Sequence, residues 1–313
     1  MPLISICIPA YKRTDFLKRL LDSVTSQTFK DFEVIVSDDS SDNSVKNLLV
    51  NYEHKFTTRY FKNESALGTP ANWNFAISKA SGEWIKLMHD DDWFTHDRSL
   101  AFFAEAAKTK PDVPFLFSAF QNITHDSGKV EIVKCDFTDR LILSLSPLHL
   151  FKRVYVGNPS CTMIKRNIGL LYDTRFKFVV DFEYYIRCMY KAKSYHYIDK
   201  VLLNIGFHED QVTKYTFLVP EVQIPENLIL AEELGYAIFR NMLVYDYYWR
   251  MFRNLGIRGG SEIKRYYNGA VHPLINQIIN SQKNIPVGML KIGIVSKSCM
   301  FITYLFSFFT KTS

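Results

Sequence analysis

The chain has 313 residues, 47% hydrophobic and 22% charged, a globular composition that can bury one large core or two smaller ones. Its five cysteines (Cys7, Cys135, Cys161, Cys188, Cys299) show no paired metal spacing, and their odd number argues against a disulfide framework, so a reducing, cytoplasmic setting is expected. The net charge of +6 is uneven: ten Lys or Arg face two acids from Gly235 onward, leaving 28 bases and 30 acids before it, and an anionic surface is the natural partner of such a tail.

The opening residues 1–9 carry no basic leader and their apolar run is strand length, so no secretory signal is expected. Residues 4–8 are continuous apolar β-formers and predict a strand buried on both faces. Pro9-Ala10-Tyr11-Lys12-Arg13 breaks it, and Thr14 caps a helix whose Phe16, Leu17, Leu20, Leu21 and Val24 follow the helical period. Residues 32–37 predict a second buried strand ending in Asp38-Asp39-Ser40-Ser41-Asp42, then a helix over 43–52 and a short strand over 59–62 before Asn63. Thr69 and Pro70 open a helix stopped by Ser81-Gly82. The strand over 84–88 then stops at His89 and three carboxylates, Asp90, Asp91 and Asp92.

Further on, residues 115–122 predict a strand, and Asp126-Ser127-Gly128 a turn into an antiparallel partner over 130–134. A short helix over 148–155 precedes Gly157-Asn158-Pro159-Ser160 and an extended stretch over 161–165. Asp181 and Glu183 stand at the start of a helix, and a strand over 201–207 ends in His208-Glu209-Asp210-Gln211.

Alternating strands and helices predict an α/β fold with an open, mostly parallel, doubly wound sheet and helices on both faces. Ligands bind such sheets at the carboxyl ends of the strands. That rule gathers Pro9 to Arg13, Asp38, Asp39, Asn63 and Asp90 to Asp92 into one site. Three adjacent aspartates repel one another and need a positive partner, such as a hard divalent cation carrying a diphosphate. The plain alternative is a solvated acidic turn at the start of a helix.

These blocks, in this order and spacing, resemble the inverting glycosyltransferase family 2 with its GT-A, Rossmann-like nucleotide-sugar-binding fold. The resemblance rests on Ile8 to Arg13, Val36 to Asp42, Asn63 through Gly68 and Asn74 to Trp84, the aspartates, Gly157 to Ser160, Val180 to Glu183, and His208 to Thr213. It departs at His89, where the family commonly has the first acid of its metal motif. The resemblance covers roughly residues 3–213 and implies a nucleotide-binding and catalytic domain over 1–213, which leaves a region over 214–313 to be read from its own residues.

It further implies that a sugar passes from a nucleoside-diphosphate sugar, expected to be a UDP-sugar, to a hydroxyl of a glycan or polyprenyl-linked glycan in cell-surface polysaccharide synthesis. Asp181 is then the general base, with Glu183 as runner-up. Pro9, Tyr11, Arg13, Asp38, Asp39, Asn63 and Asp90 hold the nucleotide. Asp91, Asp92 and His208 hold Mn²⁺ or Mg²⁺. The bland readings beside these are a helix N-cap for Asp181, an exposed arginine for Arg13 and a structural histidine for His208. A nucleotide-binding protein of the same fold without turnover is the alternative in another class.

Beyond residue 213 the pattern turns helical, with long helices expected over 226–253 and 261–279. The run Tyr245-Asp246-Tyr247-Tyr248-Trp249-Arg250-Met251-Phe252-Arg253 mixes aromatics with arginines, as membrane-surface helices do. Residues 287–309 are long enough to span a bilayer, but Lys291 and Lys297 interrupt them. The expectation is peripheral helices at the inner face of the plasma membrane. The basic tail carries no nucleic-acid recognition motif, so no nucleic-acid partner is expected.

Overall fold

The apolar run near the start of the chain forms β1 (Ile4–Ala10), buried at every residue. The structure is a computed structural model that describes residues 1–125, 127–208 and 215–308. A strand without a polar face must be covered on both sides. On one side this is done by α1 (Thr14–Thr25), which buries Leu17, Leu20, Leu21 and Val24. Then follow β2 (Phe32–Asp38), α2 (Ser44–Leu49), β3 (Thr58–Lys62), α3 (Ala71–Ser78), β4 (Trp84–Leu87), β5 (Trp93–Phe94), α4 (Ser99–Thr109), β6 (Phe115–Thr124), β7 (Val130–Val133), α5 (Phe137–Leu145), β8 (Thr162–Lys165), α6 (Val180–Ala192) and β9 (His196–Phe207).

The strands make one nine-stranded sheet in the order β3-β2-β1-β4-β8-β6-β9-β5, with β7 paired to β6. Strands β1 to β4, β6 and β9 point one way, and β5, β7 and β8 oppose them. This is the expected α/β architecture, a mixed but mostly parallel sheet flanked by helices and followed by a helical region. The antiparallel β6–β7 excursion lies where the turn chemistry put it, with Asp126 itself outside the described residues. The helix α4 is the one the acidic-turn alternative assumed after the aspartates, whereas α5 and the two-residue strand β5 were not anticipated. The short helix expected over 148–155 is a 3₁₀ turn at Pro147–Phe151.

The chain divides into two compact units, one comprising Met1–Leu145, Tyr155–Phe176 and Val180–Gln211, the other Ser146–Val154, Lys177–Val179 and Val212–Ser313. The domain boundary expected at residue 213 lies outside the described residues. The second unit holds α7 (Pro220–Leu234), α8 (Met242–Leu255), α9 (Gly260–Ile263), α10 (Pro273–Lys283), α11 (Val287–Lys291) and α12 (Gly293–Ser307).

These helices are shorter than the sequence pattern suggested. Gly235 and Gly256, with φ of 77° and 73°, end α7 and α8 in backbone conformations that side chains disfavour. Ile292, extended at ψ 110°, separates α11 from α12. Among the described residues no helix is long and apolar enough to cross a membrane.

The aromatic run on α8 is also corrected. Tyr245, Tyr248, Trp249, Met251 and Phe252 are buried, and the Trp249 indole donates to Ser296 Oγ at 3.0 Å. They are the core of the helical unit, because rings at helical spacing bury one face whatever lies between them.

Candidate functional site

Because β1, β2, β3 and β4 are parallel, the loops that follow them emerge on one edge, and hydrogen bonds tie those loops together. Lys12 lies in the left-handed region at φ 62° and turns the chain sharply after β1. Its N–H donates to Ser40 Oγ at 2.8 Å, and the Tyr11 N–H to Asp90 Oδ2 at 3.3 Å. Tyr11 presents its ring to solvent, 48% exposed, whereas Pro9 is buried within β1.

The two aspartates after β2 do different things. Asp38 is fully buried and accepts from Tyr60 Oη at 2.8 Å and Lys62 Nζ at 3.1 Å. Asp39 Oδ1 accepts from Asn63 Nδ2 at 2.7 Å and the Leu67 N–H at 3.1 Å, and its Oδ2 from the Gly68 N–H at 2.9 Å. The Asn63 amide also donates to Ser37 Oγ and Asn72 Oδ1. Asp38 and Asn63 thus shape the walls, while Asp39 Oδ2 keeps acceptor capacity beyond its single donor.

After β4, donor atoms of His89, Asp91 and Asp92 lie within 4.8 Å of one another. His89 Nε2 is buried with no hydrogen-bond partner. Burial lowers the His89 pKa, which keeps the imidazole in its neutral, metal-binding form. Asp92, 1% exposed, accepts from Asn158 Nδ2 at 2.7 Å and from the Gly206 N–H at 3.2 Å. Burial, with the Asp91 charge adding, pushes its carboxyl well above the usual range.

Burial also acts on Asp91, but the His208 Nε2 hydrogen bond to Asp91 Oδ2, at 2.9 Å, and neighbouring positive charge outweigh it and hold that carboxyl low. Burial and Asp91 raise Asp90 to about 7, with Arg13 opposing. Arg13 Nη1 lies 2.9 Å from His208 Nε2. Glu209, Asp210, Gln211, Val212 and Thr213, which carried part of the resemblance, lie outside the described residues. A neutral histidine with an orphaned nitrogen and carboxylates crowded against their own repulsion fit a divalent cation. His89, read in the sequence only as a departure, belongs to this cluster.

Several supporting residues were not assigned from the sequence. Lys86 is 0% exposed and donates to the carbonyls of Ser160 and Thr162. Ser160 Oγ in turn accepts the His89 N–H at 2.9 Å. Lys86 therefore braces the segment that positions the cluster, and a lysine inside the apolar run Trp84-Ile85-Lys86-Leu87-Met88 was the signal for it. Gly206 on β9 approaches so closely that a Cβ there would lie 2.6 Å from the Asp91 carbonyl oxygen. Arg19 donates to that same oxygen at 3.0 Å, its guanidinium 3.5 Å from the Trp93 ring centroid.

Asp181, near the start of α6, is half-buried, and its sealed Oδ1 has no hydrogen-bond partner. Burial alone raises its carboxyl to about 7. Glu183 differs: it is buried, and both its oxygens are held by Arg187. Asp181 and Asp92 both act on the buried thiol of Cys161, raised first by burial, so one side chain senses both carboxylates. The arrangement combines a cation-type cluster, an arginine beside it and a carboxylate poised to take a proton near neutral pH.

An uncharacterized glycosyltransferase of Rickettsia typhi is 26% identical over 221 residues, 68% of this chain and 66% of that protein. The GalNAc(5)-diNAcBac-PP-undecaprenol β-1,3-glucosyltransferase of Campylobacter jejuni is 35% identical over 94 residues, 29% of this chain and 30% of that one. The chain thus spans just under two thirds of the first relative's length and under a third of the second's. The crystal structure of residues 1–349 of Staphylococcus aureus TarS in complex with UDP-GlcNAc shares the fold at a TM-score of 0.67 and 16% identity, covering 96% of this chain and 89% of that one. Residues 5–168, more than half of the chain, match Glycosyl transferase family 2, and the chain belongs to that family.

Proposed function

We propose that the protein is an inverting glycosyltransferase that moves a sugar from a UDP-sugar to a hydroxyl of a glycan or polyprenyl-linked glycan in surface-polysaccharide synthesis. The observation that carries this reading is the pairing of the His89/Asp91/Asp92 cluster with Asp181, an unpartnered carboxylate raised to about 7. Tyr11 offers a ring for stacking on the base, and Asp39 Oδ2 accepts its ring N–H. Pro9, Asp38 and Asn63 shape the pocket, and Arg13 faces the diphosphate beside Asp90. Asp91, Asp92 and His89 hold Mn²⁺ or Mg²⁺, with His208 supporting Asp91. A bound cation supplies charge neutralisation for the departing nucleotide.

Asp181 accepts the proton of the acceptor hydroxyl as that oxygen attacks the anomeric carbon from the face opposite the nucleotide. Glu183, held by Arg187, is not free to do so. The catalytic domain occupies 1–213, and the helical region 214–313 places the enzyme at the inner face of the plasma membrane. The undecaprenol-linked substrate in the Campylobacter relative's name supports a lipid-linked acceptor, and the UDP-GlcNAc bound to TarS supports a UDP-sugar.

The test is to incubate the protein with a panel of UDP-sugars and Mn²⁺ or Mg²⁺ and to follow UDP release. Turnover lost in Asp91→Ala is expected. Absence of UDP release and of nucleotide binding across the panel sinks the proposal.

A further inference from the structure

Helix α12 turns little apolar surface inward. Met300 is buried, but Ser296 is buried beneath Trp249 and Arg253, and Tyr304 Oη donates to the Arg240 carbonyl. Its outward arc carries Ile294, Phe301, Ile302, Leu305 and Phe306, with Phe308 just past its end, from 46% exposed at Phe301 and Leu305 to 79% at Ile294. On a helix of 3.6 residues per turn these positions share one side. A soluble surface does not keep such a contiguous apolar face in water without a partner.

Charge identifies the partner. No acidic residue follows Glu262 in the sequence, while exposed Lys283, Lys291 and Lys297 border the two last helices. A protein partner matched to an apolar face needs no such one-sided charge, whereas an anionic lipid surface does. The 15 residues of α12 rise only about 22 Å, short of the roughly 30 Å hydrocarbon core, so the helix can lie along a bilayer but not cross it. Lysine stems at the edge of the face keep their ammonium groups at the headgroups.

We infer that the outward face of α12, flanked by Lys291 and Lys297, docks on an anionic bilayer. This deepens the proposed placement at the membrane and rests on it for its purpose, but moves the contact from the aromatic run of α8, which is buried, to α12. A lipid-linked acceptor keeps its glycan at the same interface, so docking there confines the search for substrate to a plane.

The experiment is co-sedimentation of the full chain with vesicles of equimolar phosphatidylglycerol and phosphatidylcholine, or of phosphatidylcholine alone. The expected result is binding to the anionic vesicles, weakened by salt and lost by about tenfold per residue in Phe301→Ser and Phe306→Ser. Lys291→Glu/Lys297→Glu, which leaves the apolar face intact, abolishes the preference for anionic lipid. Ile294→Trp, reporting by fluorescence, shifts to the blue on vesicles.

Unchanged melting temperature and UDP release in solution show that these surface variants are folded. Equal binding of wild type and the serine variants overturns the inference. A wild-type dimer that Phe306→Ser dissociates, without vesicle binding, assigns the face to a second copy and also overturns it. Vesicle binding without UDP release from any UDP-sugar leaves docking standing and removes the UDP-sugar transfer reading instead.

Discussion

Asp181 is the residue at which burial and chemistry meet. Its carboxyl, ordinarily near 3.8, titrates at about 7 because burial penalises the charged form. As the base it works only when deprotonated, so kcat/KM is expected to rise with unit slope up to about pH 7 and to level off above it. The same shift costs stability with a defined sign. The folded chain keeps its proton up to about 7 while the unfolded chain gives it up near 3.8, so the penalty grows between those values and is complete above 7.

Asp181→Asn is therefore expected to lose turnover by roughly 100- to 10,000-fold while melting higher than wild type at alkaline pH, an advantage that vanishes in acid below the unfolded carboxyl's range. Equal melting temperatures at all pH values contradict the buried-carboxylate account. Glu183→Gln should instead lower stability by leaving the Arg187 guanidinium without its buried partner.

Lys86 acts one step back. It touches no substrate position but holds the carbonyls behind Ser160, which holds the His89 N–H. Lys86→Met should raise the Mn²⁺ concentration needed for half-maximal UDP release by roughly 10- to 100-fold. Activity at saturating metal is expected to recover in large part, which separates a positioning role from general loss of the fold.

At the scale of elements, the site depends on how closely β9 passes the turn after β4. Gly206 lets the strand approach the Asp91 carbonyl, and its N–H reaches Asp92. Gly206→Ala forces the added methyl against the Asp91 carbonyl oxygen, a contact that no rotamer change relieves. A destabilisation of about 1–3 kcal/mol is expected from the overpacking, measurable by urea unfolding, together with weaker metal dependence of activity. A variant as stable and as active as wild type would show that β9 has slack there.

Elements also explain what the sequence misread. The lengths of α7 to α12 follow from single positions such as Gly235, Gly256 and Ile292, whose backbone angles are not visible in a hydrophobic period. The aromatics of α8 and the apolar residues of α12 look alike as strings, yet the first set is largely buried and the second, Met300 aside, largely exposed.

For the whole molecule, nucleotide and cation should act as one ligand on the folded state. A cluster of buried carboxylates destabilises the chain until positive charge neutralises it, and anything that binds only the folded form raises its stability. At a concentration of UDP near one hundred times its dissociation constant, Mn²⁺ and UDP together should add about 2.7 kcal/mol, seen as a rise in melting temperature of several degrees. EDTA or Asp91→Ala should abolish the rise. A full shift with UDP in EDTA would remove the cation from the binding site.

The strand-and-helix alternation, the acidic stop after Met88 and the polar loops after β1 and β2 were legible in the sequence, because apolar periodicity and turn chemistry are local properties. With the rule that parallel sheets bind ligands at their strand ends, those features already placed Tyr11, Asp39 and Asp91 on one edge. What only the tertiary structure decided is which of the polar groups are free. Asp38, Asn63 and Glu183 spend their hydrogen bonds on Tyr60, Asp39 and Arg187, whereas Asp181 Oδ1 and His89 Nε2 are left without partners. The physical reason is that a carboxylate's availability depends on donors brought to it from distant parts of the chain, and a string of residue types carries no record of those encounters.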